Sequence, residues 1–176
     1  MKTYFEITIN DLQQVTIWAA QSAEKALLIY ETINKEDNRP RRAIEGAKAF
    51  FNTGKRNNTL RKLALDSYRA SNETKDKAAS AAAKSASLAA ASAFTHPFKD
   101  IRQAQHILGP VVYAALAIEL FYNDKNLADE EITHAINSAD HKIAILLSNF
   151  PEQPLTEKRI NQLFYKLDQG IREKIK

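Results

Sequence analysis

The sequence contains no cysteine, few glycines and prolines, and no long apolar run. The lack of cysteine excludes a disulfide scaffold, a thiolate metal site and a cysteine nucleophile. Four glycines and five prolines are few for 176 residues, whereas an all-β fold would place many of both in its turns. These absences disfavour an all-β fold and a disulfide-stapled one.

Two further absences concern membranes and secretion. The longest apolar run extends from Val111 to Ile118, far short of the ~20 residues that span a bilayer. The N-terminal sequence MKTYFEITIND has no apolar core after its lysine, so it does not resemble a signal peptide. We therefore expect a cytoplasmic protein with no membrane span.

The composition is typical of one globular domain. Hydrophobic residues make up 44% and charged residues 26% of the chain, and ~100–200 residues is the usual size of a domain. Apolar residues recur every three or four positions from Leu12 to Ile33 and in most later segments, which is the period of an amphipathic helix. We predict an all-α bundle of six or seven helices, a single domain over residues 1–176 with its helical core at 10–174.

The first two helices carry recognisable boundary signals. Asn10, with Gln13 three residues later, is the expected cap of the first helix. Residues 1–9 before it are expected to form a short strand or an extended arm over the core. Pro40 is expected at the start of the second helix, where a missing N–H costs nothing, and Gly54 at its end.

Later segments carry weaker signals. Pro110 is expected to kink or split the helix from Ile101 to Tyr122, because it removes a hydrogen bond from the helical ladder. One continuous helix is expected from about Ala128 to Leu147, with acidic residues in its first turn. Thr156 is the expected cap of the last helix.

The segment Ala78–Ala93 consists almost entirely of small residues: fourteen of its sixteen are alanine or serine. Alanine has the highest helix propensity, and small side chains let neighbouring helices approach to the short end of the ~8–10 Å range. We predict that this segment is the central, closely packed helix of the bundle rather than a low-complexity linker.

Charge is unevenly distributed along the chain. The formal net charge is +4, yet residues 35–62 contain nine basic and three acidic side chains, while residues 119–140 contain six acids and one lysine. A basic stretch can bind nucleic acid. Phe50 and Phe51 are its only aromatic residues, and their spacing favours a core position, so a solvated basic face is the alternative.

Few groups in the sequence could carry out chemistry. His96, His106 and Tyr113 could share a pocket and form an enzyme site, or the imidazoles could be structural groups at helix ends. Glu131 and His134 form an E-x-x-H step of the kind found in di-iron bundles, but the chain has no second copy. We predict no metal, no cofactor and no catalytic residue.

Three arginines surround Pro40. In a first helical turn, Arg41 and Arg42 oppose the helix dipole, and Glu45 can offset this. The cluster is either a clasp that fixes the helix entrance or an anchor for an anionic partner. We predict that Arg39 or Arg41 is tied to a carboxylate of this chain and that Arg42 is exposed.

Several segments, taken in order, match a known family pattern. They are Trp18-Ala19-Ala20, Ala23-Glu24, Asn38-Arg39-Pro40-Arg41-Arg42-Ala43-Ile44-Glu45, the alanine-rich run, and Ala104-Gln105-His106-Ile107-Leu108-Gly109-Pro110-Val111-Val112-Tyr113-Ala114. Between about Leu12 and Glu119, the chain resembles the immunity-five-like helical family of immunity proteins from bacterial polymorphic-toxin systems. The resemblance implies an all-α, non-enzymatic, cytoplasmic protein that neutralises a toxin by binding it.

The function expected from the sequence is therefore binding of a protein partner, a cognate toxin. The alternatives are a nucleic-acid-associated helical protein that uses the basic residues 35–62, and an enzyme that uses the two histidines and the tyrosine above. The candidate partner-binding residues are Arg39, Arg41, Arg42, His96, His106 and Tyr113.

Overall fold

The computed structural model describes residues 4–176, which fold into an all-α bundle, as predicted. Within this range the bundle has eight α-helices, where the sequence pattern predicted six or seven. The helices are α1 (Ile9–Ile33), α2 (Arg39–Thr53), α3 (Asn58–Glu73), α4 (Lys77–Ala91), α5 (Ile101–Tyr122), α6 (Lys125–Ser138), α7 (His141–Ser148) and α8 (Arg159–Arg172). Two 3₁₀ turns, Ser92–Phe94 and Glu173–Ile175, follow α4 and α8.

The N-terminal residues form an extended arm, one of the two predicted alternatives. The Phe5 N–H donates a 3.0 Å hydrogen bond to the Pro97 carbonyl, and an isolated antiparallel bridge joins the adjacent pair Tyr4 and Phe98. Residues 1–3 of the predicted arm lie outside the described residues. The arm therefore closes over the loop that precedes α5.

The first helix begins slightly earlier than the sequence pattern indicated. Its cap is Thr8 rather than Asn10: the Thr8 hydroxyl accepts from the Asp11 N–H, and the Asp11 carboxylate accepts from the Thr8 N–H. This reciprocal capping box satisfies two backbone donors that Asn10 and Gln13 would have left free.

The alanine-rich helix α4 lies at the centre of the bundle, as predicted, and packs against α1, α2, α3 and α5. Ten of its fifteen residues are buried. Ser85 and Ser87 donate from their short side chains to the carbonyls of Pro110 and Ala64, on α5 and α3, at 2.5 and 2.8 Å. A side chain as short as serine reaches a neighbouring backbone only when the two helices approach closely, which the alanines permit.

Pro110 does not split α5, contrary to one predicted outcome, since the helix is continuous through it. The proline is buried, and neighbouring helices cover the turn around it. Among the described residues, α5 is the one helix long and apolar enough to cross a membrane by length and composition. In its most apolar window, 61% of the residues are buried inside the bundle. Core helices meet the same criterion.

The helix predicted from Ala128 to Leu147 is interrupted. Asp140 stops it and caps α7, because its carboxylate accepts from the Ile143 N–H at 2.9 Å. The acidic residues that we expected in the first turn, Asp129 to Glu131, lie in the second turn, because α6 begins at Lys125. Thr156 does not cap α8, which begins at Arg159 without a side-chain cap.

Candidate partner-binding residues

Arg39 is bound within the chain by two carboxylates. Its Nε and Nη2 donate to the two oxygens of Asp37 at 3.0 and 2.7 Å, and Nη2 also donates to Glu73 on α3 at 2.6 Å. The Asp37 carboxylate in addition accepts from the Arg39 backbone N–H at 3.0 Å. Arg39 therefore ties the entrance of α2 to the end of α3.

Asp37 is the centre of this cluster. Besides Arg39, its carboxylate accepts a 2.6 Å hydrogen bond from the Tyr30 hydroxyl of α1. The hydrogen bonds from the Arg39 guanidinium lower the pKa of Asp37 to about 2. Burial and the neighbouring carboxylate raise the pKa of Tyr30. The Asp37 carboxylate is therefore ionised, and it lies between the Arg39 guanidinium and the neutral phenol of Tyr30.

Arg41 is paired with α1. Its Nε and Nη2 donate to the two oxygens of Glu31 at 2.5 and 2.6 Å. The sequence suggested Glu45, four residues later, as the compensating acid. A base that precedes an acid by four residues is the weaker order on a helix, and Glu31 is offered by the adjacent helix.

The Arg42 side chain is exposed and makes no hydrogen bond or ion pair with any residue from 4 to 176. The predicted clasp geometry is therefore present, with two arginines tied and the third in solvent. The role of Arg39, Arg41 and Arg42 in partner binding stays a prediction, and only Arg42 has a side chain free to take it up.

The wider basic stretch is partly neutralised by the fold. Four of its nine basic side chains are paired with carboxylates. Each of the four pairs with an acid that lies outside residues 35–62, and Arg39 pairs with Asp37 as well. Because neutralised cations contribute little to phosphate binding, the nucleic-acid alternative depends on the other five cations and stays a prediction.

His96 lies exposed in the loop before α5. Its ring stacks on Phe98, with centroids 5.8 Å apart, and its backbone N–H donates to Gln103 at 2.8 Å. It borders a cavity of about 210 Å³ together with Arg61, whose guanidinium lies 4.8 Å from the centre of the Phe94 ring. These contacts give His96 a surface position beside two aromatic rings.

His106 lies in a different cavity, of about 330 Å³, between α4, α5 and α8. Its Nδ1 is buried and has no hydrogen-bond partner among the described residues. Burial, with a smaller contribution from the charge of His96, lowers its pKa, so the imidazole is neutral at pH 7. A neutral ring with an unpaired nitrogen can accept or donate one hydrogen bond from a bound group.

Tyr113 lines the same cavity as His106, as the sequence suggested. The ammonium group of Lys84 lies 4.6 Å from the centre of its ring, and Phe164 of α8 meets the ring edge-on at 6.3 Å. His96 does not line this cavity, so the arrangement required by the enzyme alternative is not assembled.

The E-x-x-H step also has a structural explanation. Glu131 forms an ion pair with Lys25 of α1, with a distance of 2.7 Å between Nζ and the carboxylate. His134 is exposed. Between residues 4 and 176, no group of three or more potential ligands could hold a metal ion.

Several residues of the His106 cavity were not predicted from the sequence. Lys84 carries the only charge within the alanine-rich run, and that isolation was a signal that could have identified it. Arg102 lies four residues before His106 on α5, a spacing that could have identified it. Asn161 and Phe164 had no such signal, since α8 reaches the cavity only through the packing of the bundle.

A model of the Imm-5 like putative immunity protein family matches residues 6–142. The match covers α1 to α6 and the start of α7. It therefore includes α1, α2 and α3, which contribute the residues of the arginine clasp, and α4 and α5, two of the three helices that line the His106 cavity. Helix α8, which forms one wall of that cavity, lies beyond the match. No curated protein and no solved structure matched the chain.

Proposed function

This chain belongs to the Imm-5 like putative immunity protein family, and from that premise we propose that it neutralises a cognate toxin of a bacterial polymorphic-toxin system by binding it. The proposal includes a non-enzymatic mechanism and a cytoplasmic location. The observation that carries it is the family match over residues 6–142, which spans most of the helical bundle.

The geometry of the candidate residues supports binding rather than catalysis. His106 and Tyr113 share a cavity, but His96 borders another one, so a pair of histidines is not available to exchange protons on one substrate. The His106 cavity instead presents an unpaired imidazole nitrogen and an ammonium group beside aromatic rings. Such groups are suited to receive polar side chains of a protein partner.

The test begins with a search of the reading frames next to this gene for a toxin domain. That domain is expressed in bacteria with and without this chain, and growth is measured. The purified pair is then examined by titration calorimetry. We expect rescue of growth and a stoichiometric complex. A toxin that stays fully active in the presence of an excess of this protein, without forming a complex, would contradict the proposal.

A further inference from the structure

Three neighbouring cavities form one groove along the seam between α4 and α5. The His106 cavity and the next one, of about 350 Å³, share Lys84 and Tyr113. That second cavity and a third, of about 630 Å³, share Lys75, Lys77 and Leu120. We call this continuous depression the α4–α5 groove.

The groove is long enough for a segment of another chain. It follows α4 from Lys77 to Leu88, a stretch of about 16 Å at 1.5 Å per residue. That length accommodates about eleven residues of a helix or about five of an extended strand.

The charges that line the groove are almost all positive. Lys75, Lys77, Lys84 and Arg102 follow one another along it, and Asp76 is the one carboxylate among its lining residues. Asp76 caps α4 by accepting from the Ala79 N–H at 2.8 Å, and Arg102 pairs with Asp100 at 2.7 Å. The three lysines make no ion pair within residues 4–176. The groove therefore carries an uncompensated positive charge.

The same groove exposes large apolar side chains. At one end of the groove, the exposed fractions of Ile33, Leu120 and Phe121 are 40%, 40% and 43%. Clustered exposed hydrophobic residues beside charged ones are typical of a surface that another protein covers. The groove thus combines a row of cations with an exposed apolar patch at one end.

We propose that the α4–α5 groove is the docking surface for an acidic segment of the partner protein, one that also carries large apolar side chains. The inference rests on the proposed function and adds the chemistry of the partner segment. Carboxylates of the segment pair with the lysines, and its apolar side chains cover Leu120 and Phe121.

Two other occupants fit the groove less well. A single-stranded nucleic acid needs successive open aromatic faces on which bases stack. Lys84 lies over the ring of Tyr113, and Phe164 abuts its edge, which leaves Phe121 as the one exposed aromatic ring among the lining residues. A second copy of this chain could offer its acidic residues 119–140, yet Asp129 and Glu131 are already paired with cations of their own chain.

The first test measures binding without the toxin. The probe is a fluorescein-labelled peptide of about eleven residues that alternates Glu or Asp with Leu or Phe, titrated by fluorescence polarisation at low salt. We expect the triple variant K75E/K77E/K84E to bind it about tenfold more weakly than the unmodified protein, or worse. The matched control K35E/K55E/K142E changes the net charge equally at exposed sites outside the groove and should bind as the unmodified protein does.

Two further arms separate the components of the surface. L120S/F121S should also weaken peptide binding, and the same peptide with Gln for each acid should bind much less tightly. Thermal melting of every variant checks that it is folded, and K75E/K77E replaces the triple variant if the Lys84 change destabilises the protein. Equal peptide binding by the groove variant and the control, or preference for a single-stranded oligonucleotide of the same length, would overturn the proposal.

The second test repeats the comparison with the toxin domain. Toxin binding that is lost in the groove variant and kept in the control supports the proposal. Toxin that binds both variants equally would refute the groove while leaving the proposed function intact. Toxin that binds no form of the protein would refute the proposed function, and the peptide titration would still decide the chemistry of the groove.

Discussion

Replacing Arg39 by alanine tests whether the arginine cluster is a structural clasp. The change removes the paired side-chain hydrogen bonds to Asp37 and the bond to Glu73, and it leaves the Asp37 carboxylate with the Tyr30 hydroxyl and the backbone N–H of residue 39. The matched control is Arg42→Ala, three residues away on the same helix turn, which removes an exposed guanidinium that makes no hydrogen bond or ion pair within residues 4–176.

The expected loss follows from the geometry of these contacts. Hydrogen bonds to charged groups contribute about 1.5–3 kcal/mol each to the free energy of unfolding. Those from Arg39 to Asp37 are charge-assisted and bidentate. The side chains of Arg39 and Asp37 are 29% and 23% exposed, so solvent screens part of the interaction. We expect Arg39→Ala to lower the free energy of unfolding by about 1–2 kcal/mol. That corresponds to a fall in Tm of about 2–8 °C for a chain of this size.

The pH dependence gives a second, independent signature. The folded protein lowers the pKa of Asp37 to about 2 from an ordinary value of 3.8. A carboxylate whose pKa is lowered by folding stabilises the protein fully above its unfolded pKa, and this contribution is lost as the pH falls toward the folded pKa. The difference between the unmodified protein and Arg39→Ala should therefore be constant near pH 6 and shrink between pH 3.8 and about 2.

Urea unfolding followed by circular dichroism at several pH values measures both effects. Arg42→Ala should change the free energy of unfolding by no more than about 0.5 kcal/mol at any of them. The clasp interpretation fails if Arg39→Ala and Arg42→Ala are equally mild, or if the loss from Arg39→Ala does not depend on pH. A mild Arg39→Ala that instead abolishes toxin binding would assign the cluster to the partner surface.

Packing predictions concern the small residues. Ala89→Leu should overpack the buried face of α4 and destabilise the protein by about 1–3 kcal/mol, while Ala49→Leu at an exposed site of α2 should be silent in the same thermal melt. An Ala89→Leu protein with an unchanged Tm would contradict the close packing of α4. Gly170→Ala places a Cβ 2.9 and 3.3 Å from the Cγ1 and Cγ2 atoms of Ile136, so it should lower the Tm despite a better helix propensity of about 1 kcal/mol. In Gly109→Ala the added Cβ meets the flexible side chain of Leu88, so this change should lower the Tm less than Gly170→Ala does. A higher Tm for Gly170→Ala than for Gly109→Ala would contradict this prediction.

The sequence alone determined the features that depend on neighbours along the chain. The apolar period from Leu12 to Ile33 predicted α1, because a helical stripe needs only residues three and four positions apart. Gly54 ends α2 with a φ of 64°, a conformation that glycine adopts without strain. The alanine-rich run predicted a central helix, because alanine has a high helix propensity and small side chains let neighbouring helices approach closely.

Tertiary structure decided everything that joins distant segments. Arg41 reaches Glu31 on another helix, and His96 and His106 line separate cavities although they lie ten residues apart in sequence. The α4–α5 groove exists only because the two helices pack side by side and α8 closes one end. Local hydrogen-bond patterns are set within one or two turns, whereas ion pairs and cavities depend on which helix faces which, and no period in the sequence records that.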